Sequence, residues 1–341
     1  MVARLWFVLG VMAQVSCAQA ARPALNVSSL RTFLKITPDE WRTVEAGAVV
    51  VKTLERSDKR EVAVAGLTRT TGNASCFLTA FADIEGFKRG QGIARVQSLS
   101  QPPRLDDLKD LIWSDAEVED LRRCRAGDCR ARLPPGVMEK LGTIQDGPDF
   151  KARFQILFRE HLLRNIQDYL ARGNVALLDY RDSSKPVILS REFRELLDAA
   201  PGLRELAPDF HGYMSRYPQQ KPTGVKDFLY WSIEEFGLRP VISVTHVFIY
   251  EQPGYALVAT KQIYANHYFD GSLGLTLLMN APAGERSGLY LAYVNRSRID
   301  LLGGFLGGFR RWIMRSRLLE EFEKHLAETR RRINLACSAK P

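Results

Sequence analysis

The C-terminal third constrains this chain most. From Val241 to Tyr250, Val, Ile, Thr, Phe and Tyr dominate, residues that suit a half-buried pleated surface. Pro253-Gly254 matches the two central positions of a type II turn, where Pro presets φ and Gly accepts a positive one. A second strand is expected from Tyr255 to Tyr268, and Asp270-Gly271 then carries a hairpin signal. Leu273 to Met279 reads as a third strand, Asn280 to Ser287 as a polar loop, and Gly288 to Asn295 as a fourth strand. Phe228 to Ile233 adds one more before them. Runs spaced this closely can only form an antiparallel meander.

A long amphipathic helix follows. Phe305, Phe309, Trp312, Leu319, Phe322, Leu326 and Ile333 fall on one stripe. That stripe is about 42 Å long at 1.5 Å per residue, whereas a sheet of about four to six strands is about 19–29 Å across. The helix can therefore cross the whole sheet. Gly303, Gly304, Gly307 and Gly308 form the corner that leads into it, and its other face carries Arg310, Arg311, Arg315, Arg317 and Arg330 to Arg332 among Glu320, Glu321, Lys324 and Glu328.

Upstream, Thr37-Pro38-Asp39-Glu40 is a capping box with Pro at the first helical position. Ala48–Val51 and Val62–Ala65 read as strands, Phe77–Phe87 as a helix, and Ile93–Leu99 as an alternating strand. After Pro102-Pro103 the texture turns helical up to about Gly224. Its best element is expected from Asp149, as N-cap, to Arg172, with Gly173 as the stop. His161 lies on the buried stripe of that helix and reads as a core histidine. Val175–Leu178 reads as a short strand, and Ser190 as the cap of a helix ending near Ala200. The chain thus divides into residues 1–20, 21–100, a mainly helical insertion over 101–224, and the meander with its helix over 225–341. The class is α+β.

Residues 1–20 have the pattern of a secretory signal: Arg4, an apolar run from Leu5 to Val15, then Ala18-Gln19-Ala20. Cleavage is expected after Ala20. Lipidation of Cys17 is the alternative, weakened by Gln14 where an aliphatic residue is usual. The protein is then expected in a periplasm or outside the cell, where disulfides persist. Cys124 and Cys129 flank Arg-Ala-Gly-Asp, a turn that can join them. Cys76 and Cys337 would remain as a second pair. The formal net charge is +9, but basic and acidic residues are interspersed. An anionic membrane surface is a conceivable partner on charge; nucleic acid is not expected.

The order of strand, Asn295-Arg296-Ser297-Arg298-Ile299-Asp300, Gly-rich corner and long helix resembles the helix-grip, START-like lipid-transfer and polyketide-cyclase superfamily. Leu289 to Ile333 carries the resemblance best. Ser75 to Gln97 adds to it, where Phe77-Leu78-Thr79-Ala80-Phe81-Ala82-Asp83-Ile84-Glu85 is similar to the superfamily's early helical segment. The two parts with their strands cover about half of the chain after the signal, and Gln101 to Lys221 would be a large insertion. The resemblance implies a sheet gripped by the final helix over a hydrophobic ligand. It assigns no functional residue. The whole chain also resembles secreted bacterial proteins that bring no function with them.

The motifs of common enzymes are missing: the sequence has no G-x-S-x-G, H-E-x-x-H, Walker loop or complete G-x-G-x-x-G. No cofactor and no metal is expected. A two-residue loop at Pro253-Gly254 places His246 opposite Lys261, on the side of Val244, Phe248, Leu257 and Ile263. Tyr264 and Asn266 fall on the other side, followed by Leu275 and Leu277 on the next strand. An apolar wall with a few polar groups suits a small-molecule pocket. His246, Lys261, Tyr264, Phe309 and Trp312 are therefore the candidate ligand-binding residues, with the cavity expected under the first half of the final helix. The expected function is a carrier of a hydrophobic small molecule or lipid. The alternatives are an enzyme of the same architecture using His246 or His267, and a structural envelope protein whose insertion binds a partner.

Overall fold

A computed structural model describes residues 25–338 apart from 91, 201, 236–238, 283–287 and 303–306, and describes only the backbone of 307–318, 336 and 338. The signal segment, with Cys17 and Ala20, lies outside the described residues, as do Gly303 and Gly304 and the side chains of Phe305, Phe309 and Trp312.

The meander forms and is larger than the sequence suggested. Its strands are β1 (Val50–Thr53), β2 (Glu61–Thr70), β3 (Ile93–Ser98), β6 (Val225–Glu234), β7 (Val241–Gln252), β8 (Tyr255–Ala265), β9 (Phe269–Asn280) and β10 (Leu289–Ile299); β4 (Asp179–Tyr180) and β5 (Val187–Ile188) form a separate short ladder. The eight strands run in the order β1-β2-β10-β9-β8-β7-β6-β3, every pair antiparallel. The early segment supplies both edges, β1 and β2 beside β10 and β3 beside β6. The fold is α+β, an antiparallel sheet with helices on both faces.

The Pro253-Gly254 loop sets the predicted register, with Tyr250 opposite Leu257 and His246 opposite Lys261. The next turn does not fall at Asp270-Gly271. The chain reverses over Asn266–Tyr268, with Tyr268 at φ +62°, and both Asp270 and Gly271 lie inside β9. The observed register pairs Leu257 with Leu277 and Lys261 with Leu273. Relative to a two-residue loop at Asp270-Gly271 it is displaced by an odd number of residues, which turns every β9 side chain to the opposite face. Leu275 and Leu277 therefore share the face of His246. So does Tyr264, because a bulge after Val244 pairs that residue with Tyr264.

Asp270 is instead a buried anion. Arg60 pairs with it, and Arg132 Nη2 donates to Asp270 Oδ1 at 2.6 Å and to Asp300 Oδ2 at 3.0 Å. Nearby, Arg298 pairs with Glu192, and Arg296 Nε lies 2.7 Å from Glu61 Oε1. These buried charges stand in mutual contact at one end of the sheet, as their desolvation requires.

The insertion covers one face of the sheet. Its longest helix, Phe150–Arg172, lays Phe150, Phe154, Phe158, Leu162, Ile166 and Tyr169 against it. The helices Val27–Phe33 and Pro38–Glu45 join this layer through Leu30 and Val44. Asp149 stands at the start of the long helix without a side-chain cap, while Gly173 stops it at φ +72°. The expected strand at Val175–Leu178 is a 3-10 turn over Gly173–Ala176 that leads into β4. The helix expected from Ser190 spans Leu189–Asp198, with Ile188 as its cap residue.

The other face meets the C-terminal helix, Gly307–Ser338, whose Leu326 and Ile333 are buried against it. The single helix expected over Phe77–Phe87 is two, Ala74–Ala82 and Ile84–Lys88. They break at Asp83, whose carboxylate accepts from Gly86 N and so caps the second. The C-terminal helix sits tightly on β2: a Cβ at Gly66 would lie 2.7 Å from Leu326 Cδ2, and one at Gly72 2.5 Å from Ile333 Cγ2. Cys76 and Cys337 form a disulfide with Cα atoms 5.5 Å apart, tying that helix to Ala74–Ala82; Cys124 and Cys129 form the other, at 4.5 Å. Two disulfides fit an oxidising compartment. Among the described residues no helix is long and apolar enough to cross a membrane.

Candidate functional site

The candidate residues on β7 and β8 come together, but under the insertion and away from the C-terminal helix. His246 and Lys261 are 0% exposed, and their neighbours are Tyr169 of the long insertion helix, Tyr217, Phe193 and Phe248. The polar atoms form a chain of hydrogen bonds from Lys261 to His246, whose far nitrogen then faces Asp227. Lys261 Nζ donates to Asn174 Oδ1 and, at 3.3 Å, to the Tyr169 hydroxyl. Tyr169 lies 2.8 Å from His246 Nδ1, and His246 Nε2 faces Asp227 Oδ1 at 3.4 Å. The tautomer that satisfies this order carries its proton on Nε2.

Burial pushes the His246 imidazole down to about 4, against the pull of the Asp227 carboxylate. Burial also pushes the Lys261 ammonium well below its ordinary range. Burial alone would raise Asp227, but bonding to His246 and Lys221 outweighs it and holds the carboxyl at about 2. The Tyr264 hydroxyl donates to the Arg132 carbonyl at 2.7 Å, and its ring borders a void of about 10 Å³, room for about one water. His267 is similarly committed: its ring nitrogens lie 3.0 Å from Glu117 Oε1 and 3.0 Å from the Arg130 carbonyl. The hydrogen bonds of these groups fasten the insertion to the sheet, while His246 Nε2 stays without one. Among the described residues no three His, Cys, Asp or Glu side chains gather as metal ligands would.

The C-terminal helix face carries a different feature, a cavity of about 90 Å³ between the sheet and the helices Ala74–Ala82, Ile84–Lys88 and Gly307–Ser338. Phe77, Phe81, Phe87, Leu291 and Leu326 form its apolar part, with Phe87 edge-on to Phe77 and Phe81 at 5.7 and 5.0 Å. Thr260, Thr276 and Thr329 bring hydroxyls to it, joined by Tyr230, Tyr293 and Lys88. Thr329 is 6% exposed, and its Oγ1 has no hydrogen-bond partner. Such an atom costs free energy unless something bonds to it. Lys88 lies 3.8 Å from Glu234 and 5.4 Å from the Tyr230 ring. Phe322 stacks on Tyr293 at 5.1 Å, and His325 stands exposed at the rim.

The cavity is bounded by the second half of the final helix. The expected site under the first half, at Phe309 and Trp312, lies outside the described side chains. None of Thr260, Thr276, Tyr293, Lys88 or Thr329 was singled out from the sequence as a candidate site residue. Three signals pointed to them: the replacement of apolar by small polar residues midway along β8 to β10, the gap that Thr329 leaves in the helical stripe, and glycines at Gly66 and Gly72 where the helix closes on β2.

The basic residues at the end of that helix are largely engaged within the molecule. Arg330 bonds the Gly47 carbonyl, Arg331 pairs with Glu328 at 2.7 Å, and Arg332 bonds Glu328 at 2.8 Å and the Arg89 carbonyl at 2.9 Å. No protein-family model matches the chain, and neither a curated protein nor a solved structure matches it.

Proposed function

We propose that this protein is a carrier that holds the apolar part of a small amphiphile between its sheet and its C-terminal helix. The observation that carries the reading is the Thr329 hydroxyl, buried without a partner on the wall of a cavity that is apolar on one side, at Phe77, Phe81, Phe87, Leu291 and Leu326, and polar on the other. A bound molecule would supply the missing hydrogen bond and fill the space among Phe77, Phe81 and Leu326. A cavity of about 90 Å³ accepts several waters or a short chain or ring. It is below the usual range for a drug-sized ligand, so the reading is a single-chain amphiphile or one end of a larger lipid. The two disulfides favour a carrier outside the cytoplasm.

The enzyme alternative has less support, since His246 and His267 are enclosed under the insertion and bonded to protein groups. Native mass spectrometry of protein purified without organic solvent tests the carrier reading. The expected result is a copurifying small molecule that is lost after organic extraction and is retained poorly by Thr276→Phe, which puts a ring into the cavity. A bare mass for the wild type, together with no uptake of single-chain amphiphiles afterwards, would overturn it.

A further inference from the structure

The face of the sheet under the C-terminal helix is divided. At one end Leu289 and Leu291 of β10, Leu278 of β9, Ala256 and Val258 of β8, and Val247 and Ile249 of β7 form an apolar floor. Further along the same strands, on the same face, the residues become small and polar. Tyr293, Asn295 and Ser297 follow on β10, Thr276, Gly274 and Ser272 on β9, Thr260 and Gln262 on β8, and Thr245 and Ser243 on β7, opposite Ser232 on β6. Cross-strand pairing aligns them as Tyr293 with Thr276, Asn295 with Gly274 and then Thr260, and Ser297 with Ser272. Ser297, Thr245, Ser243 and Ser232 of this band are buried, while Tyr293, Asn295, Thr276, Ser272, Thr260 and Gln262 are half-buried, so the band runs from the covered face toward solvent.

Parts of the band are satisfied internally: Ser272 and Ser297 lie 2.8 Å apart, and Ser232 and Ser243 3.0 Å apart. Asn295 bonds Tyr293 and Ser297, and of the remaining members Thr260, Thr276 and Tyr293 line the cavity, across from the unpartnered Thr329 hydroxyl. Gly274 keeps the floor low between them, since a Cβ there would lie 2.4 Å from Thr260 Oγ1 and 3.3 Å from the Tyr293 ring. The charges at this edge compensate one another, Lys88 against Glu234. What the band offers is thus a set of neutral hydroxyls and amides that can both donate and accept.

We infer that the polar end of the bound amphiphile is an uncharged polyhydroxyl group, such as a glycosyl or polyol head, laid on this band next to Thr260, Thr276, Tyr293 and Thr329. The inference rests on the carrier reading and adds the chemistry of the headgroup. A sugar hydroxyl both donates and accepts, as the threonines do. A carboxylate only accepts, and its charge would meet no unpaired cation among the described cavity-lining residues. A quaternary ammonium could form no hydrogen bond with the hydroxyls at all.

The test is isothermal titration of the full chain with four probes below their micelle concentrations: octyl glucoside, octanoate, octyltrimethylammonium and glucose. Octyl glucoside should bind at least about tenfold more tightly than either charged probe. Thr329→Val, which keeps the shape and removes the hydroxyl, should weaken octyl glucoside about fivefold or more and leave octanoate unchanged. The same variant without ligand should melt no lower than the wild type, so that weakened binding reports the lost hydroxyl and not a damaged fold. Equal affinity for the three chains, or preference for a charged one, would overturn the headgroup inference while leaving the carrier reading intact. Glucose binding as tightly as octyl glucoside would uphold polyhydroxyl recognition and remove the apolar half of the carrier reading. No binding of any probe would overturn both.

Discussion

The two faces of the sheet are built to different rules. Under the insertion, aromatic rings fill the space: Trp113 meets Phe154 and Phe158 edge-on at 5.5 and 5.2 Å, and Tyr217 packs on His246 at 4.9 Å. Many polar groups there bond to one another, as with Lys261, Tyr169 and His246, although Trp113 Nε1, Asn165 Nδ2 and His246 Nε2 are buried without a hydrogen-bond partner. Under the C-terminal helix the apolar layer covers only part of the face, a cavity remains, and the Thr329 hydroxyl is buried unbonded. Polar groups that pair with one another specify a fold, whereas a buried hydroxyl beside open space weakens the fold unless a ligand completes it. What separates the faces is space: a void of about 10 Å³ beside Tyr264 on the first, and a cavity of about 90 Å³ on the second.

The sharpest way to break this contrast is a deletion on the insertion side. Phe158→Ala removes a fully buried ring and should cost about 3–5 kcal/mol in urea denaturation. Amphiphile binding by the protein that remains folded should be unchanged. Loss of binding at unchanged stability would erase the distinction between the faces.

The disulfides offer the next comparison. Cys337→Ser unties the two walls of the cavity and opens a link spanning 261 residues. It should lower stability by about 2–4 kcal/mol and also weaken amphiphile binding. Cys124→Ser opens a link spanning only 5 residues in the insertion, so it should cost less and leave binding alone. Paired denaturation and titration of both variants checks this.

A third test uses pH. The His246 imidazole titrates at about 4 in the fold, against an ordinary value of 6.5. The unfolded chain therefore binds the proton first, and stability should fall as pH drops from about 6.5 to about 4, by up to about 3 kcal/mol. Asp227, held at about 2, adds a further loss only at more acidic pH. His246→Gln can accept from Tyr169, so it should keep that contact and make the slope between pH 6.5 and 4 less steep than in the wild type. His325, also pushed down to about 4 by desolvation at the cavity rim, and His161 and His211, pushed down by burial, would leave a slope of the same sign in the variant. Urea midpoints measured across this range for both proteins decide it.

The smallest expected effect has the opposite sign. Thr329→Val should raise the stability of ligand-free protein by about 1 kcal/mol, because it removes a desolvated hydroxyl that bonds to nothing. Calorimetry showing destabilisation instead would mean that the hydroxyl has a partner.

Much of this fold was legible because local chemistry decides it. Val241–Tyr250, Pro253-Gly254 and the capping box at Thr37 each specify their own element, and the Cys124–Cys129 pairing follows from a turn; the Cys76–Cys337 pairing was open in the sequence, because nothing local brings residues 261 apart together. The reading failed where a tertiary demand overrode a local signal. Asp270-Gly271 looks like a turn, yet Arg60 and Arg132 hold Asp270 inside the sheet, and the displaced turn reversed the faces assigned to Leu275 and Leu277. His246 and Lys261 were correctly placed opposite one another, but a hairpin register does not say which layer covers which face. The cavity was harder still. It depends on three helices meeting the sheet, and its most informative atom, Thr329 Oγ1, appears in the sequence only as a small residue in an apolar stripe.

The central claim is that a ligand enters on one face of the sheet and not the other. Methyl-labelled nuclear magnetic resonance tests it directly, by titrating octyl glucoside into protein labelled at Leu, Ile and Thr methyls. The account predicts shifts and ligand contacts at Leu291, Leu326, Thr276 and Thr329, with Leu257, Leu162 and Ile263 across the sheet unmoved. Ligand contacts at those insertion-side methyls, with Leu326 and Thr329 silent, would contradict it.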